Sequence, residues 1–139
     1  MQAKIKWTDG VQFIAESGTG HAVVVDGPPD SGGRNTGPRP MELVLMGLGA
    51  CSSYDVVSIL KKSRQDITDC HTELKADRVD AIPAVFSKIH LHFVVSGRDL
   101  KPAQVERAVK LSAEKYCSAS IMLGNAGVEI THSHEIISV

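Results

Sequence analysis

The chain has 139 residues, a length that suits a single domain over residues 1–139 with a sizeable hydrophobic core. Its formal net charge is -1 and its acidic and basic residues are interspersed, which argues against electrostatic binding to nucleic acid or to an anionic membrane. Aromatic residues make up 4% of the chain, too few for a surface that stacks nucleic-acid bases. The opening segment MQAKIKWTDG lacks the apolar stretch of a signal peptide, so we expect a cytoplasmic protein.

The first forty residues are predicted to form strands and turns. Residues 4–7 alternate between polar and apolar side chains, Asp9-Gly10 is a hairpin signal, and residues 11–16 and 21–26 have the pattern of two further strands. The segment that follows, GPPDSGGRNTGPRP, is a long loop rich in glycine and proline, which we expect to be either functional or disordered.

A long apolar helix is predicted next, from Pro40 to Lys62, with the sequence PMELVLMGLGACSSYDVVSILKK. It is apolar on nearly every side until its last turn, as is typical of a helix buried in a core. Its unbroken apolar run covers only residues 43–50, whereas a membrane span needs roughly 20 such residues. Because one antiparallel sheet cannot cover every side of this helix, we predict a homodimer whose two central helices share one core. The alternative is a monomer in which a second helix covers the far side.

Two strands, a second helix and a closing strand are predicted for the rest of the chain. Residues 67–78 alternate between apolar and polar positions, with Cys70 on the apolar face as a packed core thiol, and residues 86–96 alternate in the same way. The second helix opens at Pro102 and is expected to continue through Cys117. This order of strands and helices indicates an α+β fold.

Two of the three cysteines are candidate reactive groups. An odd number of cysteines argues against a disulfide framework, so we interpret them as thiols in a reducing compartment. Cys51, in LGACSS, and Cys117, in EKYCSAS, both precede small hydroxyl residues. A thiol becomes a nucleophile only as the thiolate, which donors such as Ser52 and Ser53 stabilise and which Asp55, one turn further on, disfavours. The residues alone leave open whether these are cooperating thiols or buried cysteines acting as small hydrophobic side chains.

Two His-x-His pairs, His90 with His92 and His132 with His134, are candidate metal ligands. Such a spacing puts both imidazoles on one face of a strand, and two pairs on adjacent strands can hold a metal ion tetrahedrally. The first pair lies opposite the apolar stripe of its strand and is expected to face solvent, so we predict no bound metal. We expect no nucleotide cofactor either, because no glycine-rich loop leads from a strand into a helix with the required lysine.

The stretches PMELVLMGLGACSSYDVVSIL, SGRDL and LSAEKYCS resemble the OsmC/Ohr family, and its YhfA-like branch in particular. The N-terminal strands and the loop ending in Pro40 also match, so the resemblance extends over nearly the whole chain. It implies an OsmC-like fold, an antiparallel arrangement of sheets around a long buried central helix, and an intertwined homodimer. It also implies reduction of organic hydroperoxides by a cysteine pair, with an external dithiol as reductant and without metal or flavin.

By this resemblance Cys51 would be the peroxidatic thiol and Cys117 the resolving thiol. The first would attack the peroxide and become a sulfenic acid, and the second would condense with it to a disulfide that the external dithiol reduces. The apolar side chains of Leu48, Met46 and Val44 would line a cleft suited to alkyl or lipid peroxides.

The chain departs from the family pattern at the start of the helix. Peroxidatic members carry a glutamate directly after the helix-opening proline, where it orients an activating arginine; here that residue is Met41, and the acid is Glu42. One residue turns a helical side chain by about 100°, so we do not expect Glu42 to replace it. Arg34 or Arg39 is either the activating cation or an ordinary solvated charge. A serine also follows the second cysteine where the family often has proline.

Two functions therefore remain open from the sequence. The first is a thiol-dependent reductase of organic hydroperoxides that serves oxidative stress defence. The second is a non-enzymatic protein that binds a small hydrophobic or thiol-reactive ligand in the same cleft. They differ in activation, because an enzyme needs a cation near Cys51 and a binding protein does not.

Overall fold

Helices and strands follow one another in the predicted α+β order in a computed structural model that describes residues 1–139. The chain divides into two units, residues 1–44 and residues 45–139, and each is described by itself. The prediction of a single domain stays a prediction. The elements are β1 (Ala3–Asp9), β2 (Gln12–Ser17), β3 (Ala22–Val25), α1 (Pro40–Lys62), β4 (Asp66–Arg78), β5 (Phe86–Arg98), α2 (Pro102–Leu111), α3 (Ser118–Asn125) and β6 (Glu129–Ser138).

The N-terminal unit is built on an antiparallel meander in the order β1-β2-β3. The predicted hairpin at Asp9-Gly10 is present, with the Gly10 amide donating to Asp9 Oδ1 at 2.9 Å. Gly10 has a φ of +51°, a left-handed conformation that glycine adopts at little cost. Large apolar side chains of β1 stay exposed, including Ile5 at 61% and Trp7 at 62%.

The glycine- and proline-rich loop is ordered around the buried carboxylate of Asp26. This carboxylate accepts hydrogen bonds from the backbone amides of Gly27, Arg34 and Thr36, and from the Thr36 hydroxyl at 2.6 Å. The Thr36 hydroxyl bond is the main reason that the pKa of Asp26 is lowered to about 2. The loop, which the sequence left as either functional or disordered, is therefore held by one acid at its first turn.

The C-terminal unit contains a second sheet in the order β4-β5-β6, with β4 antiparallel and β6 parallel to the central strand. The inward positions of β5 are almost completely buried: Ile89, Leu91, Phe93 and Val95. Cys70 pairs with Val95 across the ladder and so lies on this same face, as its alternation predicts.

Helices α1 and α2 cover this apolar face of the sheet. Gly49 of α1 allows a close approach, because a Cβ atom there would lie 2.7 Å from Leu74 of β4. One turn on, the Ser53 hydroxyl lies 2.7 Å from that of Thr72. Helix α2 buries Val105, Ala108 and Val109.

The long helix has the predicted bounds, but within one chain it buries only one face. The buried positions are Leu48, Gly49, Ser52, Val56 and Leu60. Its length and composition would also allow it to cross a membrane, a test that the core helix of a soluble protein passes too. The predicted lining of Leu48, Met46 and Val44 is not formed within the chain, because Leu48 is fully buried whereas Met46 is 56% exposed.

The second helix does not continue through Cys117, contrary to the prediction. Helix α2 ends at Leu111, a π-helical turn follows over Ser112–Tyr116, and Cys117 has an extended backbone with φ -71° and ψ 105°. Helix α3 then begins at Ser118 with the Cys117 thiol as its N-cap. A π-helical turn shifts the register of the helix, and such turns are frequent at functional sites.

Candidate functional site

The structure brings Cys51 and Cys117 together. Their Sγ atoms and a carboxylate oxygen of Asp55 all lie within 4.8 Å of one another. Cys51 and Asp55 are one helical turn apart on α1, which puts them on the same face, and Cys117 reaches them from the break between α2 and α3. Both thiols are free, Cys117 fully buried and Cys51 half-buried. We call these three residues the thiol cluster.

Two donors point at the sulfur of Cys117. The Ser52 hydroxyl donates to Cys117 Sγ at 3.1 Å, and the backbone amide of Ser120 donates at 3.4 Å from the first turn of α3. Burial nevertheless raises the pKa of the Cys117 thiol, and the neighbouring Cys51 raises it further, while the two donors act in the opposite direction. Cys117 is therefore a protonated thiol at neutral pH, and the Ser52 hydroxyl and the Ser120 amide are in position to stabilise its thiolate.

Ser112 joins the π-helical turn to α1 beside the cluster. Its hydroxyl donates to the backbone carbonyl of Ser52 at 3.0 Å and lies 3.4 Å from Asp55 Oδ2. Because Ser112 is itself buried, these contacts are shielded from water. They fix the segment that carries Cys117 against the helix that carries Cys51.

A groove of about 730 Å³ opens next to the thiol cluster, between α1 and the segment from α2 to the π-helical turn. Asp55 belongs both to its wall and to the cluster, so the groove reaches the edge of the cluster, although neither cysteine lines it. Its lining includes two aromatic rings, Tyr54 and Tyr116, and two cations, Lys62 and Arg107.

The loop arginines and Glu42 have local partners. Arg34 forms an ion pair with Asp9, and the Arg39 guanidinium donates to the carbonyl of Gly37 at 3.1 Å. Glu42 Oε1 accepts from the backbone amide of Arg39 at 3.0 Å, three residues earlier, as in a capping box. Glu42 thus caps the start of its own helix.

The two His-x-His pairs do not form one metal site. Strands β5 and β6 are neighbours, but the ladder pairs His90 with Thr131 and His92 with Ser133, which places His132 and His134 on the opposite face of the sheet. His90 and His92 instead share the Ser133 hydroxyl, each at 2.8 Å. His132 lies on the other face, 4.0 Å from Glu114.

Cys70 stands apart from the thiol cluster. It is half-buried on the inward face of β4, where burial is the main cause that raises the pKa of its thiol. An apolar neighbourhood of this kind suits an inert packed thiol, as its strand alternation predicts.

Sequence reasoning missed three features of this site. The sequence predicts only that Asp55 disfavours the thiolate; the structure also places its carboxylate within 4.8 Å of both sulfur atoms, on the helical face set by its spacing of four from Cys51. The N-cap role of Cys117 has a signal in the small polar residues of CSAS, which resemble a helix start more than a helix interior. Ser112 and Arg107 carry no local signal, because their roles depend on which helix packs beside them.

A family profile and a known protein both match most of this chain. The sequence profile described as OsmC-like protein matches residues 32–133. Protein YhfA of Escherichia coli (strain K12) is 53% identical over 138 residues, which cover 99% of this chain and 99% of that protein.

Two solved structures extend the comparison to the fold. A hypothetical protein from Aquifex aeolicus VF5 is 30% identical with a TM-score of 0.85, covering 99% of this chain and 96% of that one. An organic hydroperoxide resistance protein OsmC from Legionella pneumophila is 18% identical with a TM-score of 0.70, covering 100% of this chain and 98% of that one. The resemblance noted from the sequence and the expected α+β, OsmC-like fold are both confirmed, except that the sheet of the C-terminal unit is mixed and not antiparallel, because β6 runs parallel to β5. This chain belongs to the OsmC-like protein family.

Proposed function

We propose that this protein reduces organic hydroperoxides with Cys51 as the peroxidatic thiol and Cys117 as the resolving thiol, in the cytoplasm and as part of oxidative stress defence. The observation that carries the proposal is the approach of the two sulfur atoms, within 4.8 Å, between segments far apart in sequence. A small movement of either side chain would bring the Cβ atoms to the separation of roughly 3.8 Å that a disulfide requires.

The chemistry balances with the chain's own groups and an external dithiol. The Cys51 thiolate attacks the outer peroxide oxygen, the O–O bond breaks, and the alkoxide leaves as an alcohol after it takes up a proton. Cys117 then attacks the Cys51 sulfenic acid, water leaves, and a disulfide forms. Two thiols of the external reductant restore the pair. The donors Ser52 and Ser120 stabilise Cys117 when it loses its proton for this attack.

The groove and the relatives indicate which substrate to test first. The groove mixes apolar side chains with the cations Lys62 and Arg107, so an activating charge has candidates on the same unit as the thiols. The Legionella protein that shares the fold is named for organic hydroperoxide resistance, which makes organic peroxides the first substrate class to test here.

The proposal includes a homodimer. Helix α1 leaves apolar or aromatic side chains in solvent, with Met46 56% and Tyr54 75% exposed. Tyr54 lines the groove between α1 and α2, whereas Met46 is not among the residues that line it. A second copy of the chain would bury the exposed face, because exposed apolar patches of this kind mark association surfaces.

The test is the consumption of cumene hydroperoxide by the purified, reduced protein with a dithiol reductant and a metal chelator. We expect turnover that is abolished in Cys51→Ser and that stalls after one oxidation event in Cys117→Ser. The matched control is Cys70→Ser, which should keep full turnover. Absence of turnover in the reduced wild-type protein, or turnover retained in Cys51→Ser, would overturn the enzyme proposal.

A second candidate function is a non-enzymatic binding protein. It is favoured by the raised pKa of Cys117, which burial causes, and by Met41 in place of the family's glutamate. In that case the groove of about 730 Å³ would hold a hydrophobic or thiol-reactive ligand beside Cys51. The same assay separates the two, since a binding protein gives no turnover with any peroxide.

A further inference from the structure

We propose that Cys51, Asp55 and Cys117 bind a zinc ion when both thiols are reduced. The proposal starts from geometry: one ligand atom from each residue lies within 4.8 Å of the other two. In a tetrahedral zinc site with Zn–S bonds of roughly 2.3 Å, two sulfur ligands lie about 3.8 Å apart. Closing the cluster onto an ion thus requires shifts of about 1 Å, which side-chain rotation can supply.

The ligand types select the metal. Two thiolates and one carboxylate suit zinc, whereas magnesium and calcium prefer sites made of oxygen ligands alone. The neutral thiols must lose their protons when zinc binds, so binding releases two protons and involves no electron transfer. The resulting zinc dithiolate carries the Asp55 carboxylate as its third protein ligand.

Contacts around the cluster resemble the outer shell of a built metal site. The Ser52 hydroxyl and the Ser120 amide both donate to Cys117 Sγ, and the Ser112 hydroxyl lies 3.4 Å from Asp55 Oδ2. Donors of this kind stabilise ligands in their deprotonated form and fix their orientation. Cys117 also caps α3, where the partial positive charge of a helix N-terminus favours an anionic sulfur.

Three protein ligands leave the fourth position of a tetrahedral ion open. The open position would take water or a small anion that enters through the groove, since Asp55 lies in both the groove wall and the cluster. Zinc sites closed by four protein ligands are structural, and those with three exchange their fourth ligand. The fourth ligand of the bound zinc ion is therefore exchangeable.

Zinc and peroxide would compete for the same two sulfur atoms. Zinc thiolates have their sulfur lone pairs engaged by the metal, and a disulfide has no thiolate to offer it. Peroxide oxidation would thus release the ion, and zinc would protect the reduced pair. This consequence rests on the proposed peroxidase function, but zinc binding itself requires only the reduced thiols.

The first measurement uses Co²⁺ as a spectroscopic probe on the full-length reduced protein. Thiolate coordination gives intense sulfur-to-cobalt charge-transfer absorption, and tetrahedral geometry gives strong visible bands. We expect both signals at one ion per chain, and we expect Zn²⁺ to displace them stoichiometrically. A cobalt spectrum without thiolate charge transfer would overturn the proposal in the wild-type protein, independently of any variant.

The second measurement compares zinc affinity among variants by competition with a chromophoric chelator. Cys51→Ser, Cys117→Ser and Asp55→Asn should each weaken binding by more than about tenfold, since even outer-shell partners are typically worth about 10–100-fold in affinity. The matched controls are Cys70→Ser and Asp69→Asn, which change a thiol and a carboxylate outside the cluster and should leave affinity unchanged. Equal loss in Cys70→Ser and Cys51→Ser would mean adventitious thiol binding and would refute the site.

A third arm separates this proposal from the peroxidase. Protein oxidised with diamide should lose zinc binding, and reduction by a dithiol should restore it. Zinc binding is measured without peroxide, and peroxide turnover is measured with a chelator present, so either activity can fail while the other is found. Zinc bound with unchanged affinity after complete oxidation of the pair would contradict the assignment of Cys51 and Cys117 as ligands.

Discussion

At the scale of single residues, Ser52 connects the two halves of the thiol cluster. It sits on α1 next to Cys51, yet its hydroxyl donates to Cys117 Sγ at 3.1 Å, 65 residues further along the chain. Its backbone carbonyl accepts from Ser112 at 3.0 Å. Because Ser52 is only 1% exposed, neither contact competes with water. One small hydroxyl residue thus positions the second thiol and opposes the rise of its pKa that burial causes.

Replacing Ser52 by alanine should slow closure of the disulfide. Burial raises the pKa of Cys117, and the hydrogen bond from Ser52 lowers it. Without that bond the pKa rises further, and the thiolate fraction at neutral pH falls. We expect closure to be several-fold slower at neutral pH, because a smaller thiolate fraction is available to attack the sulfenic acid. The measurement is stopped-flow oxidation of the reduced protein by a single equivalent of peroxide. Ser53→Ala is the control, because Ser53 bonds to Gly49 and Thr72 and touches neither sulfur; an equal effect in both variants would contradict this role of Ser52.

At the scale of elements, two irregular segments precede helices α1 and α3. The π-helical turn over Ser112–Tyr116 ends one helix and lets Cys117 cap the next, which aims its sulfur inward. The loop after β3 is organised by the Asp26 carboxylate and leads into α1, which carries Cys51. Hydrogen bonds hold both segments: the loop binds the Asp26 carboxylate, and the Ser112 hydroxyl of the π-helical turn donates to the backbone carbonyl of Ser52.

The loop is expected to lose stability in acid. The hydrogen bond from Thr36 is the main cause that lowers the pKa of Asp26 from 3.8 to about 2. A carboxyl group with a depressed native pKa stabilises the fold above its unfolded pKa, and that contribution is lost as the pH falls from about 4 towards 2. Asp26→Asn should therefore be less stable than the wild type at pH 6, and the difference should shrink between pH 4 and pH 2.

Urea unfolding of both proteins at a series of pH values measures this difference. Asp30→Asn serves as the control, because that exposed acid sits in the same loop and makes none of the contacts of Asp26. A stability difference between wild type and Asp26→Asn that stays constant from pH 6 to pH 2 would contradict the assignment.

At the scale of the whole molecule, the main observation is that a single chain leaves apolar surface of α1 exposed to solvent. Helix α1 is long and apolar, but only 28% of its most apolar 18-residue stretch is buried within the chain. The exposed positions include Met46 and Tyr54 of α1. Covering this side by a second copy is the proposal that accounts for an apolar helix on the surface of the chain.

A charge placed in the proposed interface should dissociate the dimer. In one chain Met46 is 56% exposed, so Met46→Glu should fold normally as a monomer, whereas in a dimer it would bury a carboxylate. We expect sedimentation velocity to give a dimer for the wild type and a shift of at least tenfold in the dissociation constant for the variant. Ala103→Glu, at an exposed position of α2, is the control. A monomeric wild-type protein at micromolar concentration would refute the dimer.

The sequence by itself determined the features that depend on local periodicity. The bounds of α1, the inward face of β4 with Cys70 and the α+β order follow from such side-chain patterns, whereas the family resemblance rests on motifs spread over most of the chain. These patterns are informative because the repeat of a helix or strand sets which side chains share a face. The two candidate cysteines were recognised in the same way, through the motifs around them.

Only the tertiary structure decided which distant groups meet. The approach of Cys51, Asp55 and Cys117 depends on a π-helical turn and on two helices packing side by side, neither of which has a reliable local pattern. The separation of the two histidine pairs depends on the register between β5 and β6, where a shift of one residue would have placed both on one face. Register and helix packing are set by contacts between residues far apart in the sequence. Only the tertiary structure therefore shows which side chains come together in the candidate site.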